Sequence, residues 1–108
     1  QPYPLRVESG QLISIPYTVE LNDIPIHIVQ HHRSSELFER GKDHFDTLYK
    51  EGAKSARIMA IATHPYITGV PHRIGYFDKL LKYLKSHESI LFATGSEILD
   101  WYNSVAAD

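Results

Sequence analysis

The sequence predicts an α/β fold of about three β/α units with parallel strands. Two observations lead there. Short runs of strand-forming residues alternate with longer stretches of helical periodicity, in the order strand, helix, strand, helix, strand, helix. The central run, residues 57–64 (RIMAIATH), is almost continuously apolar, as suits a strand covered on both faces. Alternation of this kind favours parallel strands joined by right-handed crossovers.

The elements follow in order. Residues 1–10 (QPYPLRVESG) carry two prolines and a closing glycine and read as irregular. Residues 12–18 are rich in strand formers, with Leu12 and Ser14 alternating against Ile13, Ile15 and Tyr17. Pro16 confines that strand to an edge or a bulge. Residues 22–33 (NDIPIHIVQHHR) read as a long loop with some extended structure. Residues 34–52 form a helix. Ser34 or Ser35 caps it, Glu36 sits in its first turn, and Leu37, Phe38, Gly41, Phe45, Leu48 and Tyr49 share a face. Gly52 ends it. After the 57–64 run, Pro71 opens a second helix over 71–87. Ile74, Phe77, Leu81 and Leu84 make its buried stripe, and lysines 79, 82 and 85 its wet face. Residues 89–93 (SILFA) make a third strand. Thr94 and Glu97 stand at capping-box spacing before a last helix over 94–108, whose stripe is Ile98, Trp101, Tyr102 and Val105. Trp101 is expected in a core or an interface.

The bulk numbers bound the function. The chain has 108 residues, enough for one small domain, and its 43% apolar content is that of a globular protein. A net charge of -2 offers no basic face for nucleic acid. No apolar stretch reaches the roughly 20 residues that span a bilayer. With no cysteine there is no disulfide frame, thiol nucleophile or thiolate metal site. That count does not decide the compartment, and a cytoplasmic location is the working expectation. The single methionine is Met59, so the chain is expected to be a processed or truncated piece of something longer.

Candidate chemistry gathers at strand ends, where parallel α/β folds bind their ligands. His64 closes the 57–64 run, and Pro65 restricts its backbone to extended conformations. A positioned imidazole suits general acid–base work near neutral pH; the plainer reading is a loop histidine bonded to a carbonyl. His72 and Arg73 fall in the first turn of a helix, where the macrodipole disfavours cations by up to ~1 kcal/mol each. An anion should face them: Asp23, Glu20 or Asp78 as an ion-pair partner, or a substrate carboxylate. Asn22 and Asp23 form a turn pair on the same strand-end side as His64. His27 and His31 stand four apart, a metal-ligand spacing on a helix, with His32 beside them. In extended chain that spacing does not bring the rings together, and no carboxylate or cysteine completes the set. They read as surface histidines, and His44 and His87 as solvated ones.

Three stretches together are similar to the C-terminal part of the polysaccharide deacetylase (NodB-homology) family: PYTVELNDI (16–24), residues 44–73 and LKSHESILFATGSEILDWY (84–102). The likeness is greatest to its branch of cofactor-independent allantoinases. Its most specific elements are Pro-Tyr-Thr followed by Asn22-Asp23 and the run Ile61-Ala62-Thr63-His64, and Gly69-x-Pro71-x-Arg73 also resembles the family. The resemblance implies the C-terminal portion of a distorted (β/α) barrel that hydrolyses C–N bonds other than peptide bonds. It implies that His64 is the general acid that protonates the leaving amine. Arg73, Asn22, Asp23 and His72 are the expected substrate-binding residues. The family's catalytic aspartate, its metal-binding histidines and its Arg-x-Pro motif belong to the N-terminal half and have no counterpart here. No cofactor is therefore expected in this piece, although a divalent metal such as zinc is compatible with the full-length parent.

The expected substrate is a small amide or an N-acetylated sugar. Three strands cannot close a barrel, so a partner should cover the open edges: the N-terminal half as a separate chain, or a second copy in a homo-oligomer. Alone the chain is expected to be inactive. The rival readings are a non-catalytic α/β binding or assembly module that keeps half of the barrel, and a metal-binding protein using His27, His31 and His32.

Overall fold

The computed structural model describes residues 2–8, 12–14 and 20–106. They belong to two compact units, residues 1–16 with 91–108, and residues 17–90.

In the first unit β1 (Tyr3–Leu5) pairs antiparallel with β2 (Leu12–Ser14), in the register Tyr3↔Ser14, Pro4↔Ile13 and Leu5↔Leu12. This corrects two expectations. The opening residues are not wholly irregular, and the described part of the 12–18 strand is not parallel. Segments this close in sequence need only a short connection to pair antiparallel, whereas a parallel pair needs a long crossover. Residues 15–19 lie outside the described residues. Helix α4 (Gly95–Ala106) starts as its capping box predicts. The Thr94 N–H donates to Glu97 Oε1 (3.0 Å), and the Glu97 N–H donates to Thr94 Oγ1 (3.2 Å). Trp101, at 46% exposed, is not a core residue of this chain.

The second unit holds the site. Its core lies between α1 (Glu36–Glu51) and α3 (Pro71–Lys85). Phe45, Leu80 and Leu84 form the centre, with Phe38, Met59, Ile61, Leu81, Tyr83 and Ile90 packed around it. Each fully buried side chain of this size contributes about 1.5–3 kcal/mol. Gly41 lets the helices approach, because a Cβ there would lie 2.7 Å from Leu80 Cδ2. The α3 stripe is turned relative to its predicted face. Leu80 is wholly buried while Ile74 is exposed, since the close approach at Gly41 draws in residue 80.

Residues 57–63 and 89–93 do not form regular strands. A strand exists through its hydrogen-bonded neighbour, and among the described residues only Asn22 supplies one, as an isolated parallel bridge to Ala62. The Ala62 N–H donates to the Leu21 carbonyl (2.8 Å), and the Asp23 N–H to the Ala62 carbonyl (3.1 Å). The parallel direction and the crossover through α1 are thus present at a single position. Met59, Ile61 and Ile90 still pack inward as strand residues of a layered fold do.

A π-helix, Ile24–Val29, stands where the sequence reads as a loop. Pro25 and two β-branched pairs suggest extended chain, but the wide turn buries Ile26 and His27 beside the bridge and outweighs that local bias. His27 is therefore not a surface histidine. His87 is not free in solvent either: its ring lies 4.7–5.1 Å from those of Phe45, Tyr49 and Tyr83, and its Nδ1 is 2.8 Å from the Tyr83 carbonyl.

Candidate active site

The bridge at Asn22 and Ala62 sets two chain segments side by side, and each delivers one member of a polar pair. Asp23 follows Asn22 and His64 follows Thr63. The Asp23 side chain is wholly buried and His64 is 38% exposed. Two contacts join them. The backbone N–H of His64 donates to Asp23 Oδ2 (2.6 Å), and His64 Nδ1 lies 2.8 Å from Asp23 Oδ1. Thr68 Oγ1 donates to Asp23 Oδ2 as well (2.7 Å).

Local structure accounts for each placement. His64 is the N-cap of α2 (Pro65–Thr68), with φ -122° and ψ 133°, the extended backbone that a following proline requires. One helical turn then returns Thr68 to the same side, and its N–H donates to the His64 carbonyl (2.9 Å). Gly69 ends the turn under tight contact, because a Cβ there would stand 2.5 Å from the Pro65 carbonyl oxygen. On the other strand, Asn22 Oδ1 accepts the Ile24 N–H (3.1 Å) and fixes the start of the π-helix.

Burial alone would raise the Asp23 carboxyl, but the hydrogen bonds from His64 and Thr68 outweigh it and hold the group below the usual carboxylate range. Asp23 is therefore an anion at neutral pH. An anion beside Nδ1 accepts its N–H, which leaves Nε2 on the outward side of the ring as the atom free to exchange a proton. A buried carboxylate, an oriented imidazole and an open ring edge can hold and deliver a proton.

The five sequence candidates do not meet in one place. His64 and Asp23 do. Asp23 is closed off from solvent with both oxygens engaged, so it cannot touch a substrate. Asn22 spends its side-chain oxygen on its own turn. Arg73 is half-buried; its Nη1 donates to the Ile67 carbonyl (3.3 Å), and its Nε is buried without a hydrogen-bond partner. Two of the three carboxylates proposed for the two cations are engaged elsewhere, Asp23 with His64 and Asp78 with Lys82 (3.0 Å). His72 is exposed on α3.

One residue, Thr68, has no part in the sequence-based site, and one, His27, is buried where the sequence predicts a surface histidine. Thr68 had a usable signal, its four-residue spacing from His64 across a helical turn. His27 is 5% exposed, and its Nδ1 is buried without a hydrogen-bond partner. Burial and the Arg73 charge push its pKa down. No group of three or more His, Cys, Asp or Glu suited to a metal ion occurs among the described residues. No described helix is long and apolar enough to cross a membrane.

Comparison with known proteins bears on the sequence and the fold. No protein-family model matches the chain. A Schizosaccharomyces pombe protein named "Putative polysaccharide deacetylase" is 34% identical over 89 residues, which are 81% of this chain and 28% of that protein. The fold agrees with a solved structure of a "probable Polysaccharide deacetylase" from Pseudomonas aeruginosa PAO1, at TM-score 0.86 and 29% identity over 95% of this chain. The chain is similar in sequence and in fold to proteins named as polysaccharide deacetylases. The structure titled "Puue Allantoinase" is similar to the same degree, with TM-score 0.85 and 29% identity over 95% of this chain. The chain spans 35% of each of these two structures, about a third of their length. The polysaccharide deacetylase likeness thus holds in sequence and in fold.

Proposed function

We propose that this chain carries the proton-donating part of the active site of a hydrolase for carbon–nitrogen bonds other than peptide bonds, a deacetylase or an allantoinase-like amidohydrolase. The observation that carries the reading is the bond between His64 Nδ1 and the buried Asp23 carboxylate. It leaves Nε2 as the nitrogen that takes up a proton and, from the imidazolium so formed, gives it as general acid to a departing amine nitrogen. Asp23 acts through His64: it fixes the tautomer and the ring direction and touches no substrate. Thr68 and the His64 backbone N–H hold Asp23 in turn. The names of the relatives support C–N hydrolysis as the chemistry.

The substrate is a small amide or an N-acetylated sugar. Arg73 and His72 border α2 and are the cations available to an anionic substrate group. The described residues do not fit a divalent metal, so no step is routed through one. Residues 57–63 have strand-like composition with pairing at one position only. We assign that open edge to the rest of a distorted (β/α) barrel or to a second copy of the chain, without which the piece is inactive.

The test is His64→Ala in the natural protein that contains this sequence. Turnover of the substrate amide should fall by about 10²–10⁴-fold while circular dichroism and the melting transition stay unchanged. Turnover within a few-fold of wild type overturns the assignment and returns the non-catalytic module as the better reading.

A further inference from the structure

The mechanism leaves one conspicuous group unused beside His64. Tyr66 is 71% exposed, although an aromatic ring gains by burial, yet it is not isolated. Its ring meets the His64 ring edge-on, with centroids 5.7 Å apart and planes at 64°. Its backbone is not free to drift, because Tyr66 lies within the single turn of α2, whose N-cap is His64 itself. Asp23 draws Nδ1 inward, and so the outward part of the imidazole and the phenol ring border the same open surface.

The geometry points to Tyr66 as a substrate-binding residue, a platform on which a flat face next to the scissile amide lies. This rests on the role proposed for His64. The Tyr66 ring lies 5.7 Å from the His64 ring, so the part of a substrate next to a nitrogen at His64 is within reach of its face. An exposed aromatic face gains most from a partner that covers it with C–H groups or with a conjugated plane. Two substrates share that chemistry: the C–H face of an N-acetylated hexose, and the plane of a cyclic ureide. A stacking role needs the ring and not the hydroxyl, and among the described residues the Tyr66 hydroxyl has no hydrogen-bond partner that would bind it to the fold.

The experiment compares Tyr66→Ala, Tyr66→Phe and His64→Ala in the natural protein containing this sequence. Each is assayed with an N-acetylhexosamine oligomer and with a cyclic ureide. Tyr66→Ala should raise KM about five- to tenfold for one of the two, with kcat within about twofold and the pH profile of kcat unmoved. Tyr66→Phe should keep the wild-type KM. The substrate whose KM responds identifies the face that is read. Unchanged KM for both substrates, while His64→Ala is inactive, overturns the platform and leaves the general acid standing. A fall in kcat with a shifted pH profile also overturns it, since the ring would then position His64 instead. So does a Tyr66→Phe variant as impaired as Tyr66→Ala. Activity retained in His64→Ala removes both readings together.

Discussion

The α1–α3 helix pair and the Asp23–His64 corner lie in the same compact unit but are held by opposite means. The helix pair rests on apolar area: Phe45, Leu80 and Leu84 form its centre, with Gly41 permitting close approach. The corner rests on one buried carboxylate that takes three hydrogen bonds from residues 41 and 45 positions away in sequence. Apolar packing is distributed, and the loss of one contact leaves the rest in place. The carboxylate is concentrated, and its loss strands every donor aimed at it. Substitutions in the helix pair should therefore cost stability and spare turnover, whereas substitutions in the corner should cost both.

The largest effect tests the packed side. Leu80→Ala removes a wholly buried side chain from the centre of the helix pair, and should cost about 2–5 kcal/mol in chemical denaturation. Turnover per folded molecule should stay near wild type. A folded Leu80→Ala protein with turnover lowered as far as in His64→Ala would show that the two regions are not separable.

Asp23→Ala is the matching cut on the polar side. It leaves the His64 N–H and the Thr68 hydroxyl without their acceptor and should cost about 2–4 kcal/mol. Unlike Leu80→Ala it should also lower kcat/KM by about 10²-fold or more, since His64 loses the group that fixes its tautomer. Thr68→Val is gentler. Two donors to Asp23 remain, so a loss of about 1 kcal/mol with a small change in kcat is expected from the same two measurements.

The same contrast explains how much could be read in advance. Helices α1 and α3 and the capping box at Thr94 announce themselves by spacing, because their stabilising contacts recur every three or four residues. His64 was legible as a strand-end histidine. Asn22-Asp23 was legible as lying on the same strand-end side, but the hydrogen bonds from His64 to Asp23 were not, because nothing local marks two residues 41 apart as partners. The π-helix was hidden for a related reason. Pro25 and the surrounding isoleucines favour extended chain locally, and only burial against the rest of the unit selects the wide turn. The strand-like runs failed the other way: composition fits them for a sheet, but a strand also requires a neighbour that composition cannot supply.

The smallest effect is a pH dependence that divides the buried polar groups by sign and range. His27 has a folded pKa below its ordinary 6.5, through burial first and the Arg73 charge second, with Asp23 nearby acting in the opposite direction. As pH falls past 6.5 the unfolded chain takes up a proton before the folded one does, so stability present above that pH declines through the folded pKa. Asp23 has a folded pKa below its ordinary 3.8, and its contribution is present above 3.8 and declines as pH falls through the folded value. Acid should therefore weaken the protein in two stages, the first from His27 and the second from Asp23. Denaturant titrations from pH 8 to about pH 2 resolve them. His27→Gln should abolish the first stage and leave the second, whereas Asp23→Asn should do the reverse from a lower starting stability. If His27→Gln left the first stage intact, the weak acid response would belong to another histidine, and the buried corner would be less sensitive to charge than its geometry requires.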